Sequence, residues 1–170
     1  MKKLRPKHYL LISGMAIICT IIITFNMMWR HGWEQMSKMD CATNIKQIVL
    51  LLHLYAEDND GWFPNKSGRD GLLQLRAYDE KTDPYSKNYP FRFSCPSVHP
   101  AKEWDITYDY IGGYKTTSPP DIGIIMDRQG NHKDMGSIGF VDGSVKSFEE
   151  KDWRRNAIPK SQPVKSEIVE

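Results

Sequence analysis

The chain has 170 residues, enough for one ordinary domain and an appendage. A formal net charge of +2 and the lack of a long basic run exclude the electrostatic footprint of a nucleic-acid binder. Its three cysteines, Cys19, Cys41 and Cys95, form no C-x-x-C pair, which sets aside the common zinc and thioredoxin-like signatures.

The first residues, MKKLRPK, are basic, and no formally charged residue follows between Tyr9 and Trp29. As a helix these 21 residues reach ~31 Å, close to the thickness of a bilayer's hydrocarbon core. Tyr9 and Trp29 stand at its two ends, where amphipathic aromatics favour the interface. A cleaved signal peptide has a shorter apolar region and ends in small residues, whereas this run ends in Phe25, Asn26, Met27 and Met28. A transmembrane helix over 8–29 is therefore expected. Lys2, Lys3, Arg5 and Lys7 place a short tail, 1–7, in the cytoplasm. The rest then lies outside the inner membrane as a single-pass protein, and the N-terminus is expected to be kept. With so apolar a segment, the overall mean hydropathy of −0.53 makes the remainder markedly polar.

Beyond the span, Ala42, Ile45, Val49, Leu52 and Ala56 fall on one helical stripe, widened by Ile48, Leu51 and Tyr55. This outer helix is expected to stop near Asp60 and Gly61, with a bend at Gly32 between its two halves. The cluster Asp58–Gly61 lacks the first and twelfth carboxylates of an EF-hand and reads as a polar helix end. A second, short helix is expected on Leu72, Leu73, Leu75 and Tyr78.

Strand candidates follow at FRFSC (91–95), ITYDY (106–110) and DIGIIMD (121–127), and in the two runs around Asp142 and Gly143. Turn signals separate them. Asp-Gly between alternating runs predicts a two-residue type I′ hairpin, with Phe140 facing Val145 and Ile138 facing Ser147. That explains Asp142 as a turn residue. The tail 153–170, rich in charge and proline, is expected to be disordered. The predicted fold class is α+β, a long N-terminal helix packed on a small antiparallel sheet that forms an extracytoplasmic domain over 30–152. The Ile45/Val49/Leu52 stripe is the one large cover the sequence offers to that sheet.

Several stretches in this order resemble the bacterial pilin-like, or pseudopilin-like, proteins named for a His-x9-Asp-Gly motif. They are CATNIKQI (41–48), the helix exit DGWFP (60–64), FSCPS (93–97), YDYIGG (108–113), and His132 followed after nine residues by Asp142 and Gly143. The likeness covers about 39–148. It implies a pilin-like fold and a pilus-like or type II secretion context, with other copies or pseudopilins as partners, and no reaction. The chain departs from the pattern at 7–12, which read KHYLLI where that family has a Gly-Phe-Thr-Leu-Ile-Glu leader, and no carboxylate lies inside the apolar run.

His132 with Asp127, Asp134 or Asp142 could be a base with an orienting acid, but Ser144 has no elbow or oxyanion loop to make it a nucleophile. No catalytic residue is assigned. Cys95 and His99 are half of a zinc pattern, which Cys41 and His132 would have to complete in space. Loop carboxylates Asp121, Asp127 and Asp134 are weak calcium candidates; no other cofactor is expected. His132 is read as a loop residue bonded to the sheet edge or hairpin, and His53 as a half-buried helix residue. Cys41 early in the outer helix and Cys95 beside a packing strand predict a disulfide in an oxidising compartment. The expected role is that of a membrane-anchored structural or secretion-associated subunit without enzymatic activity. The alternative is an anchored binding module that does not polymerise.

Overall fold

The computed structural model describes residues 6–83, 85–86, 90–98 and 106–158; the side chains of 6–13, 31, 34, 35, 90 and 91 are not among those described. The architecture is α+β. Helix α1 (Pro6–Glu57) runs through Gly32 without a break. The chain divides into two compact units, Met1–Met36 and Ser37–Glu170. In the first unit Ile18, Ile22, Phe25, Met28 and Trp29 are exposed. Among the described residues no helix is long and apolar enough to cross a membrane. Part of the expected span, 8–13, has no described side chains.

In the second unit the amphipathic stripe does what its spacing predicts: Ile45, Ile48, Val49 and Leu52 are completely buried. Helix α1 stops where the Gly61 N–H reaches back to the Ala56 carbonyl at 2.8 Å. Helix α2 (Gly68–Thr82) buries Leu72 and Leu75, while Leu73 is exposed. It is tied to α1 by Gln74 Nε2, which donates to the Tyr55 hydroxyl at 2.6 Å, and by the Tyr78 hydroxyl, which donates to Asp58 at 2.8 Å.

Four strands, β1 (Tyr108–Tyr110), β2 (Gly123–Asp127), β3 (Gly136–Phe140) and β4 (Val145–Phe148), form an antiparallel meander in chain order. The expected strand at FRFSC is instead a 3-10 turn over Pro90–Phe93. Its apolar alternation, Phe-Arg-Phe, suits a strand, but Phe93 and Cys95 are buried by a turn that pulls them under α1. A bulge between Gly123 and Ile125 lets Ile124 and Ile125 both join the core against α1.

Both faces of the sheet's centre are covered. On one, Gly139 lies so close to α1 that a Cβ there would meet Val49 Cγ2 at 2.4 Å. On the other, Met126, Ile138 and Phe140 pack with Trp153 and Ala157. The expectation of disorder from 153 therefore fails at its start: Trp153–Ala157 is a 3-10 turn, and Trp153 is 1% exposed. Residues 159–170 lie outside the described set. An apolar sheet face costs too much to leave wet, and Trp153 with Ala157 supplies its cover.

The hairpin also differs from expectation. Gly139 pairs with Val145 and Ile138 with Lys146, a register one residue away from the predicted one. The loop has three residues, Val141 to Gly143. The Gly143 N–H donates to the Phe140 carbonyl at 3.0 Å, and the Phe140 N–H to the Ser144 carbonyl at 2.9 Å. Only Gly143 takes positive φ, +84°, so this is a turn closed by a glycine bulge rather than a type I′ pair. Asp-Gly serves both turns, and the buried side of β3 selects between them.

Candidate functional site

Cys41 projects from α1 into the core and is joined to Cys95 by a disulfide, with Cα atoms 5.2 Å apart. The Cys95 side is held in place by its neighbours. Its backbone N–H donates to Thr107 Oγ1 at 2.6 Å, and Asn44 Nδ2 of α1 donates to the Ser94 carbonyl at 3.1 Å. The residues from Cys95 to Val98 close a turn. This brings Ser97 beneath the loop between β2 and β3.

That loop carries His132, which is 9% exposed. Its Nε2 lies 3.4 Å from Cys95 Sγ, and its Nδ1 lies 3.2 Å from Ser97 Oγ. Asp127, the last residue of β2, is 1% exposed. One carboxylate oxygen accepts the Ser137 N–H at 2.8 Å, and the other faces Asn131 Nδ2 at 3.4 Å. Burial raises the Asp127 pKa, opposed by the Ser137 N–H, the charge on His132 and the Asn131 amide. One potential donor atom from each of Cys41, Cys95, Asp127 and His132 lies within 4.8 Å of the others, and all four residues are buried.

His132 and Asp142 thus do separate work. Asp142 is exposed at the hairpin tip, where its Oδ1 accepts the Ser144 N–H at 2.8 Å. The Ser144 hydroxyl and N–H beside it hold its carboxyl below the ordinary range. The hairpin is fixed to α1 by Lys46 Nζ, which donates to the Gly143 carbonyl at 2.7 Å. His132, expected to bond the sheet edge or hairpin, contacts Cys95 and Ser97. The calcium candidates also separate: Asp121 and Asp134 are exposed while Asp127 turns inward, and among the described residues the three form no shared cluster. His99 lies outside the described residues. His53 is half-buried, edge-on to Phe63 with ring centroids 5.4 Å apart.

In the oxidised cluster neither sulfur is a thiolate. Both sulfurs are completely buried and bonded to each other, so attack by an external thiolate is blocked until the helix and turn part. Compared with protein-family models, with curated proteins and with solved structures, the chain matches none. Sequence reasoning paired Cys41 with Cys95 and named Asp127 as one of three candidate acids for His132, but did not bring Asp127 to the two cysteines. The separation of Asp127 from His132 by only five positions across a tight turn was the signal available.

Proposed function

We propose that the chain is a membrane-anchored, pilin-like subunit whose sheet domain faces an oxidising compartment and acts structurally, without catalysis. The observation that carries this reading is the exposed apolar face of the first half of α1. Residues such as Ile18, Ile22, Phe25 and Trp29 are each more than half exposed, and an apolar surface of this kind calls for a bilayer or a partner helix. The basic residues at 2–7 set the orientation. The disulfide fits an extracytoplasmic domain, because reducing cytosol keeps such thiols apart. The order of the motifs from 41 to 143 adds the likeness to pseudopilin-like proteins.

A reporter enzyme that is active only outside the cytoplasm, fused after residue 160, tests the anchor. Activity supports it; activity of a cytoplasm-only reporter at the same position refutes it. A second reading is favoured by the absence of a carboxylate between Tyr9 and Trp29, since pilin-like assembly leans on an acidic residue there. On that reading the domain is presented singly to an envelope ligand. Crosslinking in membranes separates the two: a ladder of copies supports the subunit, and monomers alone support the binding module.

A further inference from the structure

A disulfide needs no ionisable neighbours. It is apolar and makes no strong hydrogen bonds, so an apolar lining would hold it at least as well. Here a carboxylate and an imidazole have been brought into the core beside it, at a cost in desolvation. Their arrangement is also specific. His132 turns Nε2 to sulfur, 3.4 Å from Cys95 Sγ, while its outer nitrogen is engaged by the Ser97 hydroxyl at 3.2 Å. Asp127 is oriented by the backbone N–H of Ser137 at 2.8 Å. Outer partners of this kind are what orient histidine and carboxylate ligands around a metal ion. Tyr108, across the ladder from Asp127 and 1% exposed, has a hydroxyl that makes no hydrogen bond of ordinary geometry among the described residues, although Asn44 lies close to it.

We propose that Cys41, Cys95, Asp127 and His132 form a four-ligand site for a divalent cation of the zinc class when the disulfide is open, so that either a covalent bond or a metal ties α1 to the sheet. The donor set is two thiolates, one imidazole and one carboxylate, which suits zinc or cobalt and not the all-oxygen preference of calcium. The distances fit. In a tetrahedral site a sulfur and a nitrogen ligand stand ~3.5 Å apart, given bonds of ~2.3 and ~2.0 Å. The Cys95–His132 separation already matches, and all four donor atoms lie within 4.8 Å of one another. The two sulfurs need to move apart, and donor pairs nearer the 4.8 Å limit need to close by about 1 Å.

The interconversion balances with a dithiol reductant. It gives two electrons and two protons to the bond between the sulfurs, becomes a disulfide itself, and leaves thiols on Cys41 and Cys95. The cation then displaces both thiol protons to solvent. Two thiolates, the Asp127 carboxylate and a neutral His132 around a doubly charged ion leave a single net negative charge in the site. The Ser137 N–H, the Asn131 amide and the Ser97 hydroxyl stand beside it. This inference does not rest on the membrane reading, because the site is built entirely within the second unit.

The test uses the full chain in detergent, carrying Cys19→Ser so that the exposed third thiol cannot contribute. The protein is freed of metal, reduced with a phosphine under inert gas and titrated with cobalt(II). A stoichiometric tetrahedral cobalt–thiolate absorption band, lost on adding zinc, is expected. Zinc should also shield Cys41 and Cys95 from alkylation, read by mass spectrometry. His132→Ala and Asp127→Asn should each still form the disulfide when oxidised, and should each weaken cobalt binding by about tenfold or more when reduced. A reduced parent chain that shows no tetrahedral band overturns the proposal whether or not the variants fold. So does a band of equal affinity in both variants, which would mean that the two cysteines bind cobalt without their neighbours.

Discussion

The packing of Trp153 against β3 is tested most sharply at Gly136. A Cβ at this position would lie 2.3, 2.4 and 2.6 Å from Cε2, Cζ2 and Cδ2 of the Trp153 ring. Ordinary carbon contacts begin near ~3.5 Å, so the Gly136→Ala methyl forces the ring back by about 1 Å. Two responses are open. If the ring stays and its surroundings strain, overpacking costs ~1–3 kcal/mol. If the ring and its 3-10 turn leave, the fold loses the burial of a tryptophan, a loss comparable to the ~3–5 kcal/mol of truncating one in a core. The smaller of these costs applies, so ~1–3 kcal/mol is expected, lowering the melting temperature on the order of 5–10 °C. Urea and thermal unfolding of the full chain measure it. The decisive measurement is a double-mutant cycle. In a Trp153→Ala background the obstructing ring is gone, and Gly136→Ala should then change stability little. An equal cost in both backgrounds would mean that Trp153 does not sit on Gly136, and the packing described for the tail would be wrong.

Gly143→Val should destabilise by ~1–2 kcal/mol, because a β-branched residue is strained at the positive φ this position requires. Asp142→Asn should be nearly neutral near pH 7, since the amide oxygen still accepts the Ser144 N–H; a large loss would point to a role for the charge that the turn does not explain. Breaking the disulfide of the metal-free chain should cost ~4 kcal/mol from chain entropy alone, given a separation of 54 residues, and thiols found free in protein purified without reductant would show that the bond is absent. Asp127 makes a prediction about pH. Burial raises its folded-state pKa above the unfolded one, so its contribution favours the fold most below the unfolded pKa and is lost as pH rises through the folded pKa. Asp127→Asn should flatten that part of the stability-against-pH curve, and an unchanged curve would refute the assignment.

Much of the fold was legible because its cues are local. The 3.6-residue spacing from Ile45 to Leu52 and the glycine at the end of α1 declare the outer helix, and Asp142-Gly143 declares a hairpin. The misreadings have a common cause, which is that tertiary contacts chose between local options. Phe91-Arg92-Phe93 alternates like a strand, but the link between Cys41 and Cys95 draws its end under α1. Asp-Gly fits two hairpin loops, and the choice between them was made by Gly139, which has to face Val49 and Ile45. Trp153 stands alone among charges, with no periodicity to announce that it closes the far side of the sheet. At the site, the sequence left Asp127, Asp134 and Asp142 open as partners of His132, and the turn after β2 gives it Asp127. No pattern along the chain encodes which of three acids a loop histidine will face.

The bond from Lys46 to the Gly143 carbonyl joins residues 97 positions apart, and this sets an order of events during synthesis. The stripe of α1 is made early, yet its cover, β3 and the hairpin, follows about 100 residues later. At ribosomal rates of ~5–20 residues per second that gap lasts roughly 5 to 20 seconds. A helix can form in microseconds, so for nearly all of this interval Ile45, Val49 and Leu52 form a finished apolar surface without its native cover. Folding is therefore governed by long-range closure rather than by helix formation, which places the domain among slow folders. It also makes the nascent chain dependent on whatever shields that stripe until the final hairpin emerges.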